Sequence, residues 1–208
     1  MFIKTTKSFP KSKKWIFIFR DTPRLKFSKV LDIVKKTYRE NEIIILQNET
    51  SGQAASCLKA KKFLKTKKSL FIASCDYVSI YNQKKWEDMI KYENNIDVII
   101  WTYKANDIVV KNFSSFAYCI LNPKSGLVEM IKEKEIISNN PRDDEMIIGS
   151  FWFKNSNDFI DSAENAIKNN VTVNGEHYIG NSLNYLIQKG KKIRTFEVNK
   201  WVSFGDPF

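Results

Sequence analysis

The sequence predicts an α/β fold in which a mixed central sheet lies between two layers of helices. Short apolar runs alternate with helical patterns over residues 14–103, which is typical of strands joined by crossover helices. From residue 113 onward, strand-like segments follow one another without long helices between them, which indicates an antiparallel section. A chain of 208 residues, 43% of them hydrophobic, suits one domain with a sizeable core.

The first elements are two strands and the helix that joins them. Residues 14–19 form an apolar run rich in β-formers and predict a buried strand. Thr22 and Pro23 give a helix start, with a cap followed by proline in the first turn. The apolar face of this helix is predicted to hold Phe27, Val30, Leu31, Val34 and Tyr38. Residues 42–46 form the second buried strand.

The next elements bring polar residues to the carboxyl ends of strands. Residues 50–53 form a turn, and the helix after it has an inward face. That face consists of Ala54, Cys57, Leu58 and Leu64. Residues 69–74 are a strand that leads directly to Asp76; a short helix around Trp86 and a strand over 96–103 follow. Ligands of such sheets bind beyond the carboxyl ends of the strands, where Gln53 and Asp76 fall.

The second half of the chain completes the sheet. Residues 116–121, 126–132 and 146–153 are strand-like. A helix capped by Asn157 then places Ile160, Ala163 and Ile167 inward. Another helix, with Ile179, Leu183, Leu186 and Ile187 on its apolar face, ends at Gly190. A last strand spans 192–198, and no repeat or long linker interrupts residues 1–208, so we predict a single domain.

Charge and composition limit the classes of function. The net charge is +11, and residues 1–68 hold 18 Lys and Arg against 5 Asp and Glu. Such a surface attracts nucleic acid or anionic nucleotides, but a lysine-rich solvated surface is the simpler interpretation. No apolar run approaches the roughly 20 residues of a membrane helix, and no signal peptide is recognisable, so we predict a cytoplasmic protein. The three cysteines lack a CxxC pair and predict reduced, buried thiols.

The segment over residues 124–153 carries a candidate sugar-phosphate site. A predicted strand ends in Glu133 and Lys134, a polar connection follows, and the next strand contains Gly149 before an aromatic run. Lysine can neutralise a phosphate and glutamate can accept from hydroxyl groups, while glycine lets a sugar ring approach the backbone. The alternative is a surface hairpin with a solvated ion pair, which this segment taken alone would favour.

Four segments in order resemble the sugar-phosphate nucleotidyltransferases, the NDP-sugar pyrophosphorylases. They are TSGQAASCLKAKKFL (50–64), LFIASCDYV (70–78), IKEKEIIS followed by GSFWF (131–153), and NGEHYIGN through the carboxyl terminus (174–208). The resemblance covers nearly the whole chain. It implies a Rossmann-like nucleotide-diphospho-sugar transferase fold, with a nucleotide-binding half over 1–110 and a sugar-phosphate-binding half over 111–208.

The resemblance also implies roles for individual residues. Gly52 and Gln53 match the nucleotide-binding turn, and Asp76 matches the magnesium ligand, so Mg²⁺ is the expected cofactor. Lys134 and Asp76 take the catalytic positions. The residues that match the sugar-phosphate site are Glu133, Lys134, Gly149, Asn174 and Glu176. Helix capping is the alternative role for Asn174 and Glu176, and His177 is taken as an exposed residue without a role.

The chain departs from the family's pattern in two places. A Gly-rich loop that holds the triphosphate normally follows the family's first strand, but none of the 7 glycines precedes Gly52. The chain therefore resembles an N-terminally truncated member whose sheet lacks a central strand beside residues 14–19. It should be less stable than a complete relative, and should associate with itself or with a complementing N-terminal segment. Ser203 stands where many members place a second metal-binding Asp, and Asp206 cannot be assumed to replace it.

The reaction implied by the resemblance joins an NTP to a sugar 1-phosphate and releases pyrophosphate. Because the triphosphate loop is missing, we expect this chain alone to be inactive or very weak. Two alternatives remain: a non-catalytic module for nucleotide or sugar binding or for interaction with another protein, and, less favoured, a protein that binds nucleic acid through its basic half.

Overall fold

The computed structural model describes residues 2–64, 67–105 and 110–204. The strands are β1 (Lys14–Arg20), β2 (Glu40–Leu46), β3 (Leu70–Ala73), β4 (Tyr77–Ile80), β5 (Val98–Tyr103), β6 (Ala117–Leu121), β7 (Val128–Glu133), β8 (Glu145–Phe153), β9 (Ile193–Glu197) and β10 (Lys200–Ser203). The helices are α1 (Phe2–Lys7), α2 (Pro23–Phe27), α3 (Val30–Thr37), α4 (Gln53–Leu58), α5 (Lys61–Leu64), α6 (Gln83–Tyr92), α7 (Ser156–Lys168) and α8 (Ile179–Gln188).

The centre of the fold is a six-stranded mixed sheet built around β8. Five strands follow the order β7-β6-β8-β5-β9, and β3, the sixth, also pairs with β8. Along one edge of β8, β6 pairs with residues 145–147 and β3 pairs with residues 150–153. Strands β5 and β9 are parallel, whereas the other ladders of this sheet are antiparallel. The predicted mixed α/β architecture is confirmed.

Strands β1 and β2 form a separate parallel ribbon. Their ladder runs in register from the Lys14–Glu40 pair to the Arg20–Leu46 pair. Within the described residues, no ladder joins this ribbon to the six-stranded sheet. Among the described strands, the sheet layer is therefore interrupted between this ribbon and the six-stranded sheet.

Apolar side chains cover both faces of the main sheet. On one face, α7 and α8 contribute Phe159, Ile160, Leu183 and Leu186 to a buried cluster with β5 and β8. On the other face, Trp86 of α6 packs edge-on against Trp101 of β5, with ring centroids 5.2 Å apart. Strand β5 lies between these layers, and all six of its residues are buried.

A small antiparallel ladder of β4 and β10 stands beside the sheet and was not predicted. It pairs Tyr77 with Ser203 and Ile80 with Lys200. The amide of Phe204 donates to the carbonyl of Asp76 over 2.6 Å. The carboxyl-terminal segment is thereby held against the residues that follow β3.

Several local predictions were wrong. The helix expected after Pro23 is broken at Ser28, whose extended backbone ends α2, and Phe27 is 90% exposed rather than inward. Helix α7 is capped by Asn155, whose side chain accepts from the Asn157 amide, and Ile167 is 39% exposed. Helix α1 was not expected at all.

In the described part of the chain, no helix combines the length and apolar character needed to span a membrane.

Candidate functional site

Asp76 lies in the bend between β3 and β4, with an exposed side chain. It borders a cleft of about 250 Å³ at the junction of the main sheet and the β4–β10 ladder. The cleft is lined by Ser74, Asp76, Tyr77, Phe116, Ile147, Ile148, Trp201 and Ser203. Its floor is fixed by the buried Tyr77 hydroxyl, which is hydrogen-bonded to the Ser150 hydroxyl. An exposed carboxylate thus borders a cleft that is lined by both polar and apolar residues.

Ser203 lies in the same cleft as Asp76, although it was singled out only as a departure from the family's pattern. The β4–β10 ladder carries it there by pairing it with Tyr77, the residue after Asp76. Asp206 lies outside the described residues. Among those described, no group of three or more His, Cys, Asp and Glu side chains could hold a metal ion.

Gly52 begins α4 in a backbone conformation that disfavours other residues, with φ of 109°. A Cβ at this position would stand 2.7 Å from the His177 amide nitrogen and 2.8 Å from its carbonyl oxygen. The His177 amide donates to the Ser51 carbonyl, and the Ala54 amide donates to the His177 carbonyl. The glycine therefore allows close contact with another backbone segment of the protein, in addition to any ligand.

Gln53 meets the end of β3 through its side chain. Its Nε2 donates to the Ser74 hydroxyl over 3.4 Å, which joins the turn after β2 to the residues after β3. Ser74 also contacts Gly149: the Ser74 amide donates to the Gly149 carbonyl over 3.2 Å. A Cβ on Gly149 would lie 3.1 Å from the Ser74 hydroxyl. Gly149, with φ of 79°, falls where β8 changes its partner from β6 to β3.

Glu133 ends β7 with its carboxylate turned toward the amino terminus of α8. Its Oε2 lies 3.1 Å from the place of a Cβ on Gly180, so any larger residue there would require the Glu133 carboxylate to shift. Burial raises the pKa of Glu133 to about 7, although Lys134 and a hydrogen bond from the Asn181 amide both oppose the shift. Desolvation is the larger effect because most of the carboxyl group is removed from water. This carboxyl group can therefore accept or donate a proton near neutral pH.

Lys134, Tyr178 and Glu176 form a connected cluster. The Lys134 ammonium lies 4.8 Å from the centroid of the Tyr178 ring. The Tyr178 hydroxyl donates to the Glu176 carboxylate. The pKa of Lys134 is raised chiefly by its hydrogen bond to Tyr178. Lys134 also has φ of 55°, so the backbone directs this side chain away from the line of β7.

Asn174 has a structural role in a tight turn. With Gly175 it occupies the two central positions, at φ of 50° and 79°, between Val173 and Glu176. Val173 and Glu176 exchange two backbone hydrogen bonds of 3.0 Å. This is the geometry of a type I′ hairpin, for which Asn-Gly is a favoured sequence. Tyr178 occupies the cap position of α8 and makes no side-chain cap bond, so neither Asn174 nor Glu176 caps that helix as the alternative proposed.

His177 is buried, contrary to the prediction that it is exposed. Its Nδ1 lies 3.0 Å from the Val171 carbonyl oxygen. The backbone of His177 joins the Gly52 turn to the segment that carries Glu176 and Tyr178.

The prediction of buried thiols was also wrong for Cys75, which is exposed beside Asp76. Cys119 is buried, and burial raises the pKa of Cys57 to about 12.

These contacts link most of the predicted site residues into one arc. Asp76 and Ser74 share a cleft, Ser74 meets Gln53 and Gly149, and the Gly52 turn holds His177. Next to His177, Glu176 binds Tyr178, which contacts Lys134. Ser74, His177 and Tyr178 were not assigned roles from the sequence. The only sequence signal for Tyr178 is an aromatic residue two positions after Glu176, at a helix start.

No protein-family profile matches the chain, and no curated protein matches it either. Solved structures do match. A nucleoside-diphosphate-sugar pyrophosphorylase from Vibrio cholerae RC9 has a TM-score of 0.73 at 18% identity, over 99% of this chain and 83% of that one. A UDP-glucose pyrophosphorylase complexed with UDP-glucose has a TM-score of 0.64 at 13% identity, over 93% of this chain and 76% of that one. The chain therefore shares the fold of nucleotide-sugar pyrophosphorylases, and the resemblance found in the sequence is confirmed at that level.

Proposed function

We propose that this chain binds a nucleotide and a sugar 1-phosphate along the arc from Asp76 to Lys134, as a sugar-phosphate nucleotidyltransferase. The observation that carries the proposal is the connection of the two ends of the arc through Gln53, Ser74 and the His177 backbone. The shared fold supports the same assignment.

Lys134 is proposed to neutralise the phosphate of the sugar 1-phosphate. Its ammonium is partly exposed, and Tyr178 raises its pKa, so the charge persists at neutral pH. Glu133 is proposed to accept a hydrogen bond from a sugar hydroxyl, which its mostly buried carboxyl can do in either protonation state. Glu176 and Gly149 are proposed to border the sugar. Gln53 is proposed to contact the edge of the base through its side-chain amide.

Asp76 is proposed to hold a Mg²⁺ ion that arrives with the nucleotide. Mg²⁺ usually keeps several waters and takes one or two protein carboxylates plus phosphate oxygens. One exposed carboxylate at the mouth of a cleft fits that mode of binding, and does not fit a metal held by protein groups alone. When bound, such an ion supplies charge neutralisation at the phosphates.

In the proposed reaction, a phosphate oxygen of the sugar 1-phosphate attacks the α-phosphorus of the NTP and pyrophosphate leaves. No protein nucleophile is needed, so the contribution of the chain is positioning and electrostatics. Because Ser203 stands where many members of the resembled family place a metal-binding Asp, we propose that turnover by this chain is weak. The same observation favours the second candidate function, a module that binds these ligands without turnover.

Titration calorimetry with Mg²⁺ and a pyrimidine nucleoside triphosphate tests the proposal. We expect Asp76→Ala to reduce the Mg²⁺-dependent part of the affinity by at least about tenfold, the effect of losing a charged contact. Asp88→Ala, which removes an exposed carboxylate from α6, is the matched control and should bind normally. Equal binding by Asp76→Ala and the wild type would contradict the assignment. Pyrophosphate release in the same samples separates the enzyme from the binding module.

A further inference from the structure

The turn before α4 and the segment before α8 are joined by two backbone hydrogen bonds. The Ala54 amide donates to the His177 carbonyl over 2.9 Å, and the His177 amide donates to the Ser51 carbonyl over 2.7 Å. Helix α4 begins at Gln53, and its cap residue, Gly52, makes no side-chain cap bond. Because the first amides of a helix have no partner within it, the His177 carbonyl takes the place of the missing cap. We call residues 51–54 and 176–178, joined in this way, the clasp.

The two halves of the clasp lie in close contact. Gly52 has φ of 109°, and a Cβ there would stand 2.7 Å from the His177 amide nitrogen. With two hydrogen bonds and this contact between them, movement of one half displaces the other.

The imidazole of His177 anchors the clasp to the core. His177 is 5% exposed, and its Nδ1 lies 3.0 Å from the Val171 carbonyl oxygen. Because a carbonyl oxygen only accepts, Nδ1 carries the hydrogen of this bond. Val171 is fixed at the end of α7, where its amide donates to the Ala166 carbonyl over 2.8 Å and Asn170 has φ of 51°. These are features of a Schellman motif, so the imidazole is anchored to the end of a packed helix.

Each half of the clasp carries groups of the proposed site. Gln53, which is proposed to contact the base, belongs to the first half. Glu176 and Tyr178 belong to the second half, and Tyr178 contacts Lys134, which is proposed to bind the phosphate. A ligand that orders one half of the clasp therefore also orders the other half. A second ligand then loses less conformational entropy when it binds.

We propose that the clasp couples the two ligand sites, so that a bound nucleotide strengthens binding of the sugar 1-phosphate, with His177 as the positioning residue. The inference rests on the proposed function for the identity of the two ligands. Linkage requires that the sugar 1-phosphate strengthen nucleotide binding by the same factor. His177 acts through its backbone, since its ring is buried against the Val171 carbonyl.

Titration calorimetry measures the coupling with glucose 1-phosphate and the α,β-methylene analogue of UTP, which binds Mg²⁺ but cannot transfer its nucleotidyl group. We expect the saturating analogue to lower the Kd of glucose 1-phosphate by about fivefold or more in the wild type. In His177→Phe, which keeps a ring but loses the donor, this coupling factor should fall to about one. His177→Asn, whose side-chain amide keeps a donor near the position of Nδ1, should retain most of the coupling. A residue with only a structural role would instead weaken both ligands and leave the factor unchanged.

A pair of glycine variants tests the clasp from its other half. Gly52→Ala places a Cβ against the His177 backbone and should also reduce the coupling factor. Gly126→Ala is the matched control, because Gly126 also has a positive φ, of 67°, but a Cβ there would meet no atom within 4 Å. This control should keep the wild-type factor.

Amide hydrogen exchange tests the clasp without any ligand. In His177→Phe, the Ala54 amide should exchange about tenfold faster than in the wild type, because its acceptor is held less firmly. The Asn157 amide, which lies in the first turn of α7 and donates to the Asn155 side chain, is the control and should be unchanged.

The outcomes separate this inference from the proposed function. If both ligands bind the wild type with a coupling factor of one or less, the coupling is overturned and the proposed function stands. If neither ligand binds, the proposed function is overturned and the coupling with it. An unchanged coupling factor in His177→Phe, or unchanged exchange at Ala54, would overturn the role assigned to His177.

Discussion

Strands β3 and β5 both pair with β8, yet they differ in burial. All six residues of β5 are buried, whereas all four residues of β3 are half-buried. Both segments are apolar, so the difference comes from their neighbours: β5 has β9 on its other side, and β3 has no second partner among the described strands. Burial in this molecule therefore depends on the continuity of the sheet layer more than on the residues of a strand.

The candidate site shows the same contrast at its two ends. Lys134 and Glu133 belong to the continuous part, where Tyr178 and the amino terminus of α8 fix them. Asp76 follows β3, beside the interruption, and its side chain is exposed. The proposed sugar-phosphate end should thus be organised before any ligand binds, while the proposed nucleotide end has fewer contacts to hold it.

The largest effect expected from this contrast is on folding stability. Ile100→Ala, in fully buried β5, should lower the free energy of unfolding by about 2–5 kcal/mol through lost burial and a cavity. Ile44→Ala makes the same change in half-buried β2 and should lower it by about 1 kcal/mol. Urea unfolding measures both. Equal losses would contradict the difference between the continuous and interrupted parts.

The second effect concerns the organised end of the site. Lys134→Ala should weaken binding of a sugar 1-phosphate by about 1.5–3 kcal/mol, the value of a hydrogen bond to a charged group, and should spare the free sugar. Lys132→Ala is the control, because Lys132 is a nearby lysine on β7 that pairs with Glu135. Calorimetry with both ligands measures the difference. Equal weakening for phosphate and free sugar would show that Lys134 does not contact the phosphate.

The third effect is a pH dependence of stability. In the folded chain the pKa of Glu133 is about 7, while the unfolded value is about 4.3, so the folded state holds more protons between these pH values. The contribution of Glu133 is therefore fully present below about pH 4.3 and is lost as the pH rises through 7, with a change on the order of 1–3 kcal/mol.

The Glu133→Gln variant has no titrating group at this position, so it tests the direction in which stability changes with pH. Relative to the wild type, the variant should gain stability as the pH rises from 5 to 8, because only the wild type must ionise a buried carboxyl over that window. Urea midpoints taken at several pH values measure the difference. If the difference in unfolding free energy between the wild type and the variant does not change with pH, the raised pKa of Glu133 is contradicted.

The smallest effect expected is from Tyr178→Phe, which keeps the ring beneath Lys134 and removes the hydroxyl that binds Glu176. Affinity for a sugar 1-phosphate should fall by about 0.5–1.5 kcal/mol, the net value of one hydrogen bond. Tyr185→Phe, on the same helix, is the control. If the Phe variant binds as well as the wild type and Tyr178→Leu does not, the ring alone positions Lys134.

The sequence predicts the positions of β1, β5 and β8 well because each contains an apolar run. The predicted burial is correct for β5 and β8 but wrong for β1 and β2, most of whose residues are half-buried or exposed, because no ladder among the described residues joins them to the main sheet. It does not predict α1, which has the sequence FIKTTK and lacks a helical apolar face. It also misses the β4–β10 ladder, whose pairing joins residues distant in the chain. At the site, Asp76 could be named from the strand before it, but the contact of Gly52 with His177 could not. The Asn174-Gly175 pair carries a turn signal that was not used, because Asn174 was assigned to the site through the resemblance, and that assignment stays a prediction.

Strand β8 also determines when the chain can fold during synthesis. It pairs with β3, β5 and β6, and its residues, 145–153, are made after all three of them. Until it emerges from the ribosome, the apolar surfaces of β3 and β5 have no shared partner. At about 5–20 residues per second, the interval from the end of β5 to the end of β8 lasts a few seconds. During that interval these apolar surfaces can associate with other chains, so a change that delays β8 should reduce the yield of folded protein more than its effect on equilibrium stability suggests.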